Sequence, residues 1–151
     1  MKGRKYFSYP NKYYCVDPGL CNARLNFRQI EETHLMENII YNELVRRGLS
    51  VDVGVVSAVE RSLGKQTHTS YEIDFVVNAE RAGEKYYIQS ALRMDDEARR
   101  EQEIRPFLKL QNDFTKRIVI TKAMMKPWTD EYGIRHIGLY DFLLDEAALT
   151  Q

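Results

Sequence analysis

A chain of 151 residues, 44 % hydrophobic and 29 % charged, is sized for one globular domain with a real core. Its 22 basic residues balance 22 acidic ones, so the chain as a whole offers no charge argument for a polyanionic partner. It holds no apolar run of the ~18 residues a membrane span needs, and MKGRKYFSYP at the start does not read as a secretion signal, so a cytoplasmic protein without a membrane partner is expected.

The first fourteen residues carry Lys2, Arg4, Lys5 and Lys12, no acid, and five interleaved rings from Tyr6 to Tyr14. Cations among rings can grip single-stranded nucleic acid, the rings stacking on bases while the cations neutralise phosphates. These four residues are therefore nucleic-acid-binding candidates, against the plainer reading of an edge strand and a chain terminus. KYYCVDPGL, 12–20, reads as a short strand stopped by the Asp-Pro-Gly turn at 17–19. Cys15 and Cys21 are the only cysteines, too few for a disulfide framework or a zinc site, and read as ordinary thiols. Residues 1–27 are thus an N-terminal strand and connector, and 28–151 the core of a single domain.

RQIEETHLMENIIYNELVRRG, 28–48, has helical periodicity and stops at Gly48, with Arg46 and Arg47 complementing the helix dipole. At about 100° per residue, Leu44, Ile30, Tyr41 and Ile40 lie within about sixty degrees of Glu37, which puts an acid in the apolar stripe. A carboxylate there needs a hydrogen bond, an ion pair or a metal. His34 lies on the same stripe as a candidate partner.

VDVGVVSAV, 51–59, is a β-branched strand, and RSLGKQTHTS reads as a polar loop after it. Gly64-Lys65 does not make a phosphate-binding loop, because Val59 and Gln66 stand where Gly and Ser or Thr are required. YEIDFVV, 71–77, alternates, so Ile73, Phe75 and Val77 should share one face and Glu72, Asp74 and Val76 the other. EKYYIQSAL, 84–92, alternates too, and a hairpin through NAERAG would bring Asp74 near Gln89.

DDEARREQEIRPFLKLQ, from 95, reads as a helix starting at Asp95-Asp96. Its i, i+4 pairs Asp95–Arg99, Asp96–Arg100 and Glu101–Arg105 suit a solvated face, and Pro106 should kink it or begin a new turn. TKRIVIT, 115–121, is a strand and MMKPWTDEYG a loop in which Trp128 could anchor the surface. IRHIGLYDFLLDE closes with a strand and a helix, His136 being an ordinary strand residue.

Helix, three-strand meander, helix, strand, with a helix Glu, a strand-two acid and a polar pair two apart in strand three, resembles the PD-(D/E)xK nucleases. The resemblance implies an α/β, restriction-endonuclease-like core: a mixed sheet flanked by helices. In that superfamily the acids hold Mg²⁺ or Mn²⁺ and a strand-three lysine positions the attacking water. Glu37 would match the helix acid and Asp74 the strand-two acid, both as metal ligands. Gln89 stands at the strand-three acid and Ala91 at the lysine, a vestigial constellation that leans away from catalysis.

A closer resemblance spans nearly the whole chain: KYYCVDPGLCNARL, HLMENIIYNELVRRG, YEIDFVV, KYYIQSAL, FTKRIVIT and GIRHIGLYDFLL together look like the uncharacterised C-terminal domain of bacterial and archaeal AAA-type ATPases. That resemblance implies a piece of a longer protein or a truncated gene. It also implies a binding or regulatory role, with DNA or RNA and an ATPase domain, of the same protein or a paralogue, as partners. The other expectations are a Mg²⁺- or Mn²⁺-dependent endonuclease with a relocated cation, and a structural assembly domain forming a homo-oligomer.

Overall fold

The computed structural model describes residues 11–28, 31–62, 65–78, 84–110 and 115–150. Lys2, Arg4, Lys5 and Ile30 lie outside them. In chain order the elements are α1 (Pro18–Arg24), α2 (Glu32–Arg46), β1 (Ser50–Ser62), β2 (Lys65–Asn78), β3 (Lys85–Ala91), α3 (Glu97–Leu108), β4 (Lys116–Thr121), β5 (Trp128–Thr129), β6 (Ile134–Gly138) and α4 (Leu139–Leu144). The expected α/β core of helix, meander, helix and strand is there.

Six strands form one mixed sheet in the order β1-β2-β3-β4-β6-β5. The meander pairs antiparallel, β3, β4 and β6 run parallel, and β5 returns antiparallel to β6. One face of the sheet packs Phe75, Val77, Ile88 and Ile118 against Met36, Ile40 and Leu44 of α2 and Phe142 of α4. The other packs Ile73, Ala91, Val119 and Ile134 against Ile104 and Phe107 of α3. Parallel strands covered on both faces read as continuous apolar runs, as the buried Ile118, Val119 and Ile120 of β4 do.

Several local readings change. Residues 12–17 form no strand: Asp17 caps α1, its carboxylate accepting from Leu20 N–H at 3.0 Å, and Pro18 opens the helix. Asp-Pro-Gly is thus a helix start, because a cap followed by proline satisfies the first-turn donors. The polar stretch after β1 is not a loop either, since strand pairing runs out to Ser62↔Lys65. Proline 106 sits inside α3, which continues to Leu108. On the same helix Asp96 caps Arg99 N–H at 2.8 Å and pairs with Arg99 at 3.2 Å, while Arg100 turns to Glu97, Asp130 and Glu131. Of the expected i, i+4 pairs, Asp95–Arg99 forms at 3.7 Å. At the end of α2, Gly48 takes φ +77°, and the buried Arg47 guanidinium ties the helix to the Phe142, Asp145 and Glu146 carbonyls.

The largest departure is in β2. The register steps from Asp52↔Val76 to Gly54↔Ile73, so Asp74 and Phe75 both oppose Val53 in a β-bulge. Alternation breaks there: Phe75 and Val77 face α2, whereas Ile73 packs on the α3 side. A Cβ on Gly54 would stand 2.7 Å from Val76 Cγ2 and 3.1 Å from Ile73 Cβ, so only glycine lets β1 pass the bulge this closely.

His136 is not an ordinary strand residue. It is buried and donates through Nε2 to Asp130 Oδ2 at 2.9 Å, with Trp128 stacked on its ring at 4.5 Å. Asp130 also accepts from Tyr132 N–H at 3.0 Å and Ile134 N–H at 2.9 Å, which fixes the β5–β6 turn.

Gly54→Ala should cost about 1–3 kcal/mol, the usual penalty for overpacking, measured as a lower denaturant midpoint with unchanged slope. For Asp130, burial alone would raise the carboxyl, but the bonds from His136, Ile134 and Tyr132 outweigh it and hold it below its usual range. A depressed folded-state value stabilises above the unfolded carboxylate range and is lost as the pH falls through it. Asp130→Asn should therefore flatten the loss of melting temperature below about pH 4 relative to wild type; an equally steep loss would refute this role.

Candidate functional site

Beyond Phe75↔Ile88 the β2–β3 ladder stops and the strands part. Side chains take over at this fork. Asp74 Oδ2 accepts from Ser90 N–H at 2.9 Å, and Asp74 N–H reaches Gln89 Oε1 at 3.5 Å. The hairpin thus brings Asp74 and Gln89 together as expected. Gln89's amide oxygen turns to the Asp74 backbone and its side chain hydrogen-bonds Glu103 of α3.

Glu37 approaches the fork from α2. It is not in the middle of that helix's buried stripe, which is Met36, Ile40, Glu43 and Leu44, but at its edge. What covers it is the irregular strap 12–16. Tyr14 Oη donates to Glu37 Oε1 at 2.7 Å, and its ring stacks on Tyr41 with centroids 4.1 Å apart. His34 plays no part; it is exposed and pairs with Glu31 at 2.8 Å.

Between the acids lies the Lys12 ammonium. Its Nζ is 2.8 Å from Glu37 Oε1, 2.5 Å from Glu72 Oε1 and 3.3 Å from Asp74 Oδ1. Sequence reasoning assigned Lys12 to phosphate contacts. With three carboxylates around it, the ammonium is neutralised and does not present itself to a polyanion. The site does have a lysine, supplied by the strap and not by strand three. Ala91, at the position a strand-three lysine would take, is buried in the α3 core. Arg99 and Arg100 are spent on Asp95, Asp96, Glu97, Asp130 and Glu131.

The electrostatics follow from crowding. Burial raises Asp74, reinforced by the Glu37 charge and offset by Ser90 N–H and Lys12. Burial likewise raises Glu103, with the Asp74 charge adding to it and Gln89 opposing. Burial works against the Lys12 ammonium, but Glu37, Glu72 and Asp74 outweigh it and hold it protonated well above the usual lysine range. Burial and the bond to Glu37 raise the Tyr14 hydroxyl.

Three carboxylates, Glu37, Glu72 and Asp74, thus share one ammonium, and a fourth, Glu103, adds its charge beside Asp74. Glu103 was hidden among the charges of α3, yet it lies four residues before the buried Phe107, which puts it on the inward side of the helix. Among the described residues, no group of three or more His, Cys, Asp or Glu is arranged to hold a metal ion; Glu37, Glu72 and Asp74 converge on the Lys12 ammonium instead. As arranged, the acids fit an ammonium and not the Mg²⁺ or Mn²⁺ that the nuclease resemblance implies.

No family model matches the chain, and no solved structure does. It is similar to an uncharacterized protein of Haemophilus influenzae, 31 % identical over 144 residues, which cover 95 % of this chain and 31 % of the relative. The chain thus spans about a third of the length of that relative.

The raised Asp74 value has a sign that can be tested. An acid raised by folding stabilises on the acid side and loses that contribution as the pH rises through the folded value. Asp74→Asn has no proton to lose, so its stability relative to wild type should shift in the variant's favour as the pH rises from about 4 to about 8, by roughly 2–4 °C in melting temperature. A shift the other way would mean the site stabilises the ionised carboxylate.

Proposed function

We propose that this chain is a PD-(D/E)xK nuclease-like domain that does not cut, its cation position filled by the chain's own Lys12, and that it serves as a binding or regulatory module of a longer cytoplasmic AAA-type ATPase, with nucleic acid as a candidate partner. The observation that carries this reading is the Lys12 Nζ within 3.3 Å of Glu37, Glu72 and Asp74 together. An ammonium there supplies the positive charge that buried carboxylates require, without the coordination geometry or bound water that hydrolysis needs. Gln89 in place of an acid and Ala91 in place of a lysine point the same way. The H. influenzae relative extends far beyond the matched region, as a module carried by a longer protein would have it.

One observation favours a second reading, a Mg²⁺- or Mn²⁺-dependent endonuclease. Lys12 brings an ammonium to Glu37 and Asp74 from another part of the chain, and Glu103 adds a carboxylate beside Gln89. Both readings are tested together, by calorimetric titration with Mg²⁺ and Mn²⁺ and by incubation with labelled single-stranded and duplex DNA over a salt series. The non-catalytic reading expects no cleavage and no tight metal uptake by the wild type. Lys12→Met should then bind Mn²⁺ at least about tenfold more tightly, since leaving buried carboxylates unpaired costs several kcal/mol. Cleavage abolished by Asp74→Ala and by chelator would establish the enzyme instead. DNA binding that weakens with salt supports a nucleic-acid module, and none at low salt leaves a protein-facing role.

A further inference from the structure

The sheet has two unlike edges. One is β5, 2 residues long; the other is β1, 13 residues from Ser50 to Ser62 and, among the described residues, with no strand on its outer side. In such a strand every second N–H and C=O points outward, a template for another strand. Edges are commonly blunted by lysine, proline or a bulge, and β1 has none of these: no Lys or Pro lies between 50 and 62, and the extra residue of the bulge belongs to β2. Val53, Val55 and Val59 lie on one side of the strand and are 44, 45 and 53 % exposed.

The outer half of this hairpin also lacks a core. β2 pairs with β3 only from Phe75 to Asn78, so Ser57 to Ser62 pair with Lys65 to Ser70 as a two-stranded ribbon about 20 Å long. No described residue from 57 to 72 belongs to either apolar cluster. A two-stranded ribbon is marginal in water, whereas three or more strands with apolar cross-strand pairs hold together.

We propose that β1 is the homodimer edge of this domain: it pairs antiparallel with β1 of a second copy, joining two six-stranded sheets into one. In a two-fold antiparallel pair each residue faces one on the same side of the sheet, so the axis runs beside a residue and not between two. An axis at Val56 would set Asp52 against Glu60 twice, and like charges directly opposite repel. An axis at Val55 would spend the exposed Val59 on Val51, which already packs on the α2 core. An axis at Ser57 avoids both. It sets Val55 against Val59 of the copy on one face and Val56 against Ala58 on the other, each twice, and pairs residues 52–62. The contact is isologous, and β5 offers too short a ladder to extend it, so the assembly closes as a dimer.

The test is the mass of the full chain in solution, by light scattering and sedimentation. Wild type should dimerise, and Val55→Lys and Val59→Lys should each weaken the dimer at least about tenfold, with unchanged circular dichroism because both side chains are exposed. Leu144→Lys, at an exposed site on α4, should leave the dimer intact. In a chain carrying Cys15→Ser and Cys21→Ser, Ser57→Cys should oxidise to a linked dimer, since Cα atoms facing across an antiparallel pair are about 4.5–5.5 Å apart, within disulfide reach. Ser50→Cys, which this axis leaves unpaired, should not. A wild type still monomeric at concentrations on the order of 100 μM would overturn the proposal and leave the edge to an extended segment of another chain. So would a dimer that both lysine variants leave intact, or one that links through Ser50→Cys and not through Ser57→Cys. None of these readouts involves nucleic acid or metal, so the dimer edge stands or falls apart from the nuclease-like reading.

Discussion

Buried carboxylates must be compensated, and at this fork one ammonium does it. Lys12 touches an acid from α2 and two from β2, so the strap, the long helix and the bulged strand are joined at a single Nζ. The ammonium is about one-quarter exposed and Glu37 and Asp74 less so, a setting in which an ion pair is worth more than at the surface, yet removing either partner strands the other. The strap has no helix or strand of its own between 12 and 16. Its order comes from this charge, the Tyr14–Tyr41 stack and the Asn38 and Asn42 side chains.

The fork exists because the sheet is irregular in a defined place. Had β2 kept strict alternation, Ile73 would lie with Phe75 and Val77 under α2, and Asp74 would continue the ladder opposite Gln89. The bulge against Val53 sends Ile73 to the α3 side. It also frees the Asp74 carboxylate to accept Ser90 N–H in place of a backbone carbonyl. Gly54 is the condition for this, since a methyl group there would collide with Val76 and Ile73. A backbone position on β1 therefore sets the aim of an acid on β2.

Much of this was legible in the residues. Periodicity placed α2, β3, α3, β4 and β6, hairpin spacing put Asp74 beside Gln89, and the nuclease resemblance paired Glu37 with Asp74. What failed has a common cause: period-two and period-3.6 patterns describe isolated elements, whereas the bulge, the strap and the Asp17 cap arise where elements meet. Lys12 was read by its sequence neighbours, as one cation in a basic, ring-rich segment, but its partners are 25, 60 and 62 residues away. Glu103 was not singled out from the charges of α3, although Ile104 and Phe107 mark the inward side next to it. Asp-Pro-Gly was taken for a turn when its first residue is a better helix cap.

Two buried acids in this fold are shifted in opposite directions, and the contrast separates scaffold from site. Asp130 is met by His136 and two backbone N–H groups, so ionisation is favoured and the charge holds a turn in place. Asp74 is met by fewer donors and by the repulsion of Glu37, so folding raises it, as it raises Glu103 beside it. Apolar replacements at Asp74 and Glu103 would remove that cost, so stability alone does not account for acids at this point. Their excess negative charge also repels phosphate. Any nucleic-acid contact of this domain therefore falls on another surface, and the fork itself is suited to a cation, which in this chain is the Lys12 ammonium.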